Sequence, residues 1–458
     1  MGREYTVAIV GGGVSGALTA YHLVVRRSVP IRVVVIDPRP ELGLGLAYST
    51  PSLRHLLNVP TGKISALPDE PAHFLNWLRT HYDPEMTGAD FAPRAIFGQY
   101  IQSLLTTAPG IEHLQTTVLD CLVQGAQALL TLADGTMLTA DAVVLALGNF
   151  NPAALPGISE EVIRNGTYCQ SAWEDATYAN LPDDAPVTLI GTGLTAVDVL
   201  LRLRERGHRG AVTAISRHGL FPNRHAPCEP LEECVVAGKP PVKARELLRA
   251  VHQALKAGKP WRAVIDSLRP RTNELWLALP LAEQKRLRRH LQRRWEIVRH
   301  RMAPSIADHL DAELSDGTLV LRQGSLHAVR PVDGGAIVEY RSDGRIAAIA
   351  AARVINCTGP DTNYHRVGSP LLNSLFAQGL IVDGSLGAGL WSNQNGALRA
   401  EDGTASSILF NIGPGRLGTL FESIAVPELR AQAMELAGFL AAQASKTVQG
   451  KRSRVLAS

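Results

Sequence analysis

The chain has 458 residues, more than a single hydrophobic core usually organises, so two or three domains are expected. Its 45% hydrophobic and 19% charged residues are ordinary for an α/β protein, and a net charge of +4 does not by itself indicate nucleic-acid binding. No apolar run is long enough to span a bilayer. We therefore expect neither nucleic acid nor a membrane as a partner.

The five cysteines are spread along the chain without a C-x-x-C pair. This spacing argues against a disulfide scaffold, a dithiol redox site and a zinc ribbon, and we expect no bound metal. Reduced cysteines are typical of the cytoplasm, where we expect the protein to act.

The N-terminal segment has the pattern of a strand, a glycine turn and a helix. YTVAIV (residues 5–10) is an apolar run of strand length, and a helical stretch extends to about residue 26. Between them lie four candidate cofactor-binding residues: Gly11, Gly13, Ser15 and Gly16. Such glycines permit a sharp turn and let backbone N–H groups approach a pyrophosphate, and the helix N-terminus adds partial positive charge. The pattern predicts a dinucleotide-binding turn, although an ordinary tight turn would have a similar sequence.

The next strand, IRVVVID (residues 31–37), ends in Asp37. A carboxylate at this position accepts hydrogen bonds from a free ribose 2′-hydroxyl and repels a 2′-phosphate. Asp37 therefore favours FAD or NAD at the first turn.

A second copy of this unit follows. APVTLI (residues 185–190) precedes Gly191 and Gly193, and AVTAISR ends in Arg217, which lies as far from Gly191 as Asp37 lies from Gly11. An arginine suits a 2′-phosphate, so we expect NADPH here. NADH stays open, because a solvent-exposed loop arginine would look the same.

Each copy also contains a strand, an Asp-Gly turn and further strands, ending at Gly148 and Gly359. The sequence thus predicts an α/β fold with two Rossmann-like dinucleotide-binding domains and a helical insert. The predicted ranges are an FAD-binding domain over 1–165 plus 350–445, an NAD(P)-binding domain over 180–349, its insert over 221–315, and a disordered tail over 446–458.

The insert has helical spacing and is strongly basic. Its basic residues are Lys285, Arg286, Arg288, Arg289, Arg293, Arg294, Arg299 and Arg301. Three interpretations compete: a solvated helix face, a surface that attracts an anionic substrate or the NADPH phosphates, and a nucleic-acid contact that no reader motif accompanies. We predict that the insert covers the place where flavin and nicotinamide meet.

Several stretches resemble the bacterial FAD/NAD(P)-binding flavoproteins over nearly the whole chain. They are GLGLAYSTPSLRHLLNVPTGKISALPDEPAHFLNWL (43–78), PRAIFGQYI (93–101), IGTGLTAVDVLL (190–201), RHRMAP (299–304) and GPGRLGTLFESIAVPELRAQ (413–432). That family is similar to flavin-containing and N-hydroxylating monooxygenases, and it includes a flavoprotein urate hydroxylase. The resemblance implies FAD and NAD(P)H as cofactors and leaves the substrate open.

The resemblance also implies roles for single residues. In NVPTGK (58–63), Asn58 corresponds to an asparagine that holds the hydroperoxide formed on the flavin, which makes it the candidate catalytic residue; alternatively it bonds loop backbone. In related folds the last strand and helix, which the turn of Gly413 and Gly415 joins here, lie against the isoalloxazine ring.

These observations predict an FAD-dependent, NAD(P)H-consuming monooxygenase that uses O₂ to hydroxylate a small polar or anionic substrate, with urate as a candidate. For an anionic substrate, the candidate ligands are Arg224, His225 and Arg301. Two alternatives stay open: an NAD(P)H dehydrogenase that passes electrons to a quinone or protein, and a redox-sensing dinucleotide-binding protein. The sequence leaves the oligomeric state open.

Overall fold

The structure, a computed structural model, describes residues 4–456. The strands are β1 (Tyr5–Val10), β2 (Ile31–Ile36), β3 (Ile111–Leu114), β4 (Val118–Gln124), β5 (Gln127–Leu132), β6 (Met137–Ala140), β7 (Ala142–Leu145), β8 (Tyr168–Cys169), β9 (Val187–Ile190), β10 (Val212–Ser216), β11 (Leu319–Gln323), β12 (Ser325–Val332), β13 (Gly335–Ser342), β14 (Arg345–Ala351), β15 (Arg353–Asn356), β16 (Ala397–Arg399) and β17 (Ala405–Asn411). The helices are α1 (Val14–Arg26), α2 (Gly45–Tyr48), α3 (His73–His81), α4 (Arg94–Thr106), α5 (Glu160–Arg164), α6 (Leu194–Glu205), α7 (Ala244–Lys256), α8 (Trp261–Leu268), α9 (Thr272–Ala278), α10 (Leu281–Arg299), α11 (Pro304–Ser315), α12 (Pro370–Ala377) and α13 (Val426–Leu456).

The chain forms two compact units. The first comprises the described residues up to Pro51, the segment Pro60–Asn149 and the residues from Thr362 onward. The second comprises Ser52–Val59 and Phe150–Asp361.

The first unit is built on a six-stranded sheet with the order β16-β17-β7-β1-β2-β3. All neighbours pair in parallel except β16, which runs antiparallel to β17 at one edge. Every residue of β1 is buried, as expected for a central parallel strand that is covered on both faces. Helix α13 packs against α1, so the first unit contains both N-terminal and C-terminal segments of the chain.

The second unit contains a five-stranded parallel sheet with the order β11-β10-β9-β15-β8. Apolar residues of its strands and of α6 form a core that includes Val187, Leu189, Val197, Leu200 and Val212. The two parallel sheets with covering helices confirm the predicted α/β class with Rossmann-like domains.

Each unit also carries a three-stranded antiparallel sheet, β4-β5-β6 in the first and β12-β13-β14 in the second. The Asp-Gly turns occur where the sequence predicts them. Between β13 and β14, Asp343 (φ 47°) and Gly344 (φ 77°) form a two-residue hairpin loop in which both residues have positive φ, the pattern of a type I′ turn.

The domain boundaries differ from the prediction in the segments that join the two units. Residues 150–165 and 350–361, which we assigned to the FAD-binding domain, belong to the second unit. The reason is strand pairing: β15 hydrogen-bonds with β9 and β8, so it completes the second sheet. The short segment Ser52–Val59, which contains Asn58, also belongs to the second unit.

The insert contains helices α7 to α11, with α7 and α10 at the two segments where the sequence has helical spacing. It has a small apolar cluster of its own, formed by Val236, Leu268 and Leu275 with Val251 and Trp295 packed against them. At the C-terminus the prediction of a disordered tail differs from the structure, because α13 extends to Leu456. Residues 457–458 lie outside the described residues. Among residues 4–456, no helix is long and apolar enough to cross a membrane.

Candidate functional site

The first glycine turn lies between β1 and α1, and its backbone can only be made by glycine. Gly11 has φ +106°, and a Cβ on it would lie 2.3 Å from the carbonyl oxygen of Ala146. Its N–H donates to the carbonyl of Ile36 at 2.9 Å, which ties the turn to the neighbouring strand. A Cβ on Gly16 would lie 2.0 Å from the carbonyl oxygen of Gly11, so the first helical turn packs directly on the glycine loop.

Gly13 is the N-cap of α1, and no side chain caps the helix. The first N–H groups of a helix have no partner within the helix, and together with the helix dipole they form an anion site. A glycine at the cap keeps that site open to a phosphate. The turn therefore fits the pyrophosphate of a dinucleotide.

Asp37 lies directly behind this turn and is 2% exposed. Its Oδ2 accepts hydrogen bonds from the N–H of Gly12 (2.6 Å) and from Nη2 of Arg39 (2.9 Å). Its Oδ1 accepts from the backbone N–H (2.9 Å) and Nε (3.0 Å) of Arg39. A carboxylate has about four acceptor positions, so all of them are taken. A ribose hydroxyl could bond Asp37 only after the Arg39 side chain moves.

These contacts keep Asp37 ionised. Burial alone would raise the pKa of Asp37, but hydrogen bonds from the Arg39 side chain and from the N–H groups of Gly12 and Arg39 outweigh burial and lower it. The carboxylate thus holds the glycine turn in place. The sequence predicted a role for Asp37 but not for Arg39. The only local signal for Arg39 was that a basic residue follows Asp37 by two positions.

The C-terminal turn meets the start of α1. Gly413 has φ +77°, and a Cβ on it would lie 2.7 Å from Oγ of Ser15. Its carbonyl accepts a hydrogen bond from Oγ of Ser423 at 2.7 Å. A Cβ on Gly415 would lie 2.3 Å from the side-chain oxygen of Asn411. The fold therefore brings together Ser15 and Gly413, which are far apart in sequence.

The glycines that end the last strands behave differently. Gly148 has φ +68° and Gly359 has φ +88°, and a Cβ on either would contact no atom within 4 Å. At both positions the positive φ favours glycine, whereas packing does not require it, because the space beside the Cα atom is open.

The second glycine turn repeats the geometry of the first. Gly191 has φ +115°, a Cβ on it would lie 2.4 Å from the carbonyl oxygen of Cys357, and its N–H donates to Ile215 at 2.8 Å. Gly193 is the uncapped N-cap of α6, and no atom lies within 4 Å of its Cβ position. Ala196, which is buried, replaces the third glycine.

Arg217 follows β10 directly and is exposed. It makes no hydrogen bond or ion pair with any residue in the described part of the chain. The preceding residue, Ser216, accepts a hydrogen bond from Oγ1 of Thr192 at 2.9 Å, so the end of β10 is fastened to the glycine turn. An unengaged guanidinium beside such a turn is suited to a phosphate.

The candidate substrate residues and Asn58 also come together in the second unit. The N–H of His225 donates to the carbonyl of Met302 (2.9 Å), and Nε2 of its ring contacts the carbonyl oxygen of Asn58 (3.2 Å). Because a carbonyl only accepts, Nε2 is the protonated nitrogen. Burial lowers the pKa of His225 to about 4. The hydrogen bond to Asn58 raises this pKa, and the nearby charge of Arg301 lowers it further. His225 is therefore neutral at pH 7.

The two predicted substrate arginines are bound by carboxylates. Arg301 is 2% exposed and forms a two-pronged ion pair with Asp266 at 2.8 and 3.1 Å, while its guanidinium lies over the ring of Trp261. Arg224 forms an ion pair with Asp308. In both residues the positive charge is thus balanced by a carboxylate of the protein.

The N-terminal part of the chain is similar to a known protein family. Residues 8–150 match a family described as FAD-NAD(P)-binding. A search of curated proteins found no match.

Solved structures share the fold over almost the full chain. The ornithine hydroxylase PvdA from Pseudomonas aeruginosa has a TM-score of 0.65 at 15% identity, covering 96% of this chain and 99% of that one. The ornithine N-hydroxylase of Kutzneria sp. 744 has a TM-score of 0.63 at 13% identity, covering 96% and 100%. The bacillithiol disulfide reductase from Staphylococcus aureus has a TM-score of 0.58 at 12% identity, covering 96% and 99%. Residues 8–150 are thus similar to an FAD-NAD(P)-binding family, and the chain shares the fold of these enzymes.

Proposed function

We propose that the protein is an FAD-dependent monooxygenase that consumes NADPH, with FAD at the first glycine turn and NADPH at the second. The observation that carries this proposal is the pair of turns with matching geometry, one followed by Asp37 and the other by Arg217 at the same offset. When bound, FAD would supply the redox chemistry, in which two electrons from NADPH reduce O₂ so that one oxygen atom enters the substrate and the other leaves as water.

The residues of the chain bind and orient the cofactors. At the first turn, the N–H groups at the start of α1 hold the pyrophosphate, and Asp37 accepts from the adenosine ribose after Arg39 moves aside. We expect the turn of Gly413 and Gly415 to lie beside the flavin. In this proposal Asn58 has the catalytic role that the resemblance implies, and the hydrogen bond from His225 to its carbonyl restrains its backbone.

For the second turn, we expect Arg217 to select the phosphorylated cofactor. Replacing Arg217 with Ala should raise the KM for NADPH by about tenfold, because a charge-assisted bond to a phosphate is lost, and should leave the KM for NADH nearly unchanged. Steady-state kinetics with both cofactors would measure this. Equal effects on the two KM values would show that Arg217 does not read the 2′-phosphate.

For the substrate, we propose a small polar molecule. Urate is the anionic candidate, but the ion pairs of Arg224 and Arg301 weaken the support for an anion at these residues. The neighbours from Pseudomonas and Kutzneria act on ornithine, an amine. The purified, FAD-loaded protein should therefore be tested with urate and with ornithine side by side.

The deciding experiment compares NADPH oxidation, O₂ consumption and product formation with each substrate. Substrate-stimulated oxidation that yields one hydroxylated product per NADPH supports a monooxygenase. Stimulation by a quinone without hydroxylation would favour the NADPH dehydrogenase instead, and stable cofactor binding without turnover would favour a redox sensor. A dithiol-based reductase is disfavoured by the cysteine spacing, since no two cysteines form a C-x-x-C pair.

A further inference from the structure

One arginine of the basic helix α10 contacts the second glycine turn directly. Nη2 of Arg293 donates to the carbonyl oxygen (3.0 Å) and to Oγ1 (3.1 Å) of Thr192, the residue between Gly191 and Gly193. The same nitrogen donates to the carbonyl of Leu220, in the loop that follows Arg217. Arg293 therefore joins the turn to the loop after β10.

These contacts hold the guanidinium but use only part of it. Nη2 carries all three bonds, while Nη1 makes a long contact of 3.5 Å to Glu296. Nε has no hydrogen-bond partner among residues 4–456. The side chain is 24% exposed, so it is partly open to solvent. An arginine whose position is fixed by backbone oxygens, and whose Nε has no partner, is preorganised to bind an oxyanion.

We propose that Arg293 is a nucleotide-binding residue: together with Arg217 it binds the phosphates of the dinucleotide at the second turn. This assigns one member of the basic run to the cofactor and makes α10 part of the cofactor site. The inference rests on the proposed function of the second turn. It goes beyond that function because Arg293 belongs to the insert and not to the strand–turn–helix unit that contains the second turn.

The test uses the purified protein saturated with FAD, so that the first turn is occupied, and titrates it with NADP⁺ and with NAD⁺ by calorimetry. Arg293→Ala should weaken NADP⁺ binding about tenfold, since a fixed cation is lost. Arg294→Ala is the matched control. Arg294 lies on the same helix, is exposed and has no hydrogen bond or ion pair within the described residues, so its loss should change affinity less than about twofold.

The two ligands distinguish the phosphate that Arg293 binds. Equal losses for NADP⁺ and NAD⁺ would assign Arg293 to the pyrophosphate, which both carry. A loss for NADP⁺ alone would assign it to the 2′-phosphate, beside Arg217. Unchanged affinity for both would overturn the proposal.

A purely structural role must also be separated from phosphate binding. If Arg293 binds a phosphate, its removal makes NADP⁺ affinity less sensitive to salt, and Arg293→Lys, which keeps the charge, restores that sensitivity. If Arg293 only braces the turn, the salt dependence of both variants equals that of the wild type. Failure of the wild-type protein to bind either nucleotide would instead reject the proposed function of the second turn.

Discussion

At the residue scale, two glycines of one turn are glycine for different reasons. Gly191 has positive φ, and its Cβ position lies 2.4 Å from the carbonyl oxygen of Cys357. Gly193 has φ −79° and open space around its Cβ position. The first is therefore required by the fold, whereas the second leaves room for a ligand.

This difference gives a matched pair of variants. Gly191→Ala should destabilise the protein by about 2 kcal/mol or more, because it forces an L-residue into the left-handed region and against backbone. Gly193→Ala should keep the wild-type Tm and lose NADPH affinity, since its methyl group lies where the pyrophosphate approaches. Thermal unfolding and nucleotide titration measure the two effects; a Gly193→Ala protein with normal affinity would place the phosphates elsewhere.

Asp37 and Arg39 allow a second test at this scale. Asp37→Asn should weaken FAD binding about tenfold, because the amide has only one acceptor oxygen and no charge, and so cannot replace all the hydrogen bonds that the carboxylate accepts from Gly12 and the ribose. Arg39→Ala should bind FAD at least as tightly as the wild type, since no guanidinium then competes for Asp37. Flavin fluorescence on dilution gives both dissociation constants. Full retention of FAD by Asp37→Asn would remove Asp37 from the site.

At the element scale, the insert has a core of its own. Its cluster of Val236, Leu268 and Leu275 is separate from the core under the parallel sheet, which includes Leu200. Small separate clusters open more readily than a main core, and elements that move during catalysis are drawn from such regions.

Leu268→Ala should loosen the insert by about 2–4 kcal/mol, the usual effect of removing a buried leucine side chain. Hydrogen exchange should accelerate in α7 to α10 and stay unchanged in β9, β10 and β15. Leu200→Ala, the control, should accelerate exchange in those strands. Equal acceleration everywhere in Leu268→Ala would show that the insert and the sheet unfold as one.

The sequence was sufficient to predict secondary-structure elements, but it was insufficient to predict contacts between residues that are distant along the chain. Apolar runs bounded by glycines predicted β1, β9 and both turns, since periodicity and turn chemistry are local. Arg293 could not be separated from its basic neighbours until the fold placed it on Thr192. Arg353–Asn356 was assigned to the wrong domain, because pairing of β15 with β9 is a long-range choice that no local pattern encodes.

At the scale of the whole molecule, buried neutral histidines make stability depend on pH. Burial lowers the pKa of both His225 and His22 from 6.5 to about 4, although the Asn58 hydrogen bond opposes the shift of His225. Between these values the unfolded chain binds more protons than the folded one. Stability is thus fully present above pH 6.5 and falls as the pH drops toward 4.

We expect the free energy of unfolding to fall over this range by at most about 1.4 kcal/mol per pH unit for each histidine. His225→Gln keeps a donor for the Asn58 carbonyl but does not titrate, so its stability should vary less with pH. Denaturant unfolding at several pH values measures the difference. Identical pH profiles for this variant and the wild type would show that His225 does not contribute.

The two glycine turns also differ in which sequence changes they permit. At the third motif position the first unit has Gly16, whose Cβ position lies 2.0 Å from the carbonyl oxygen of Gly11, while the second unit accommodates the methyl group of Ala196 in its core. The second turn could therefore adopt the residue of the first without a clash, but not the reverse. At this position, exchange of residues between the two turns is thus possible in one direction only.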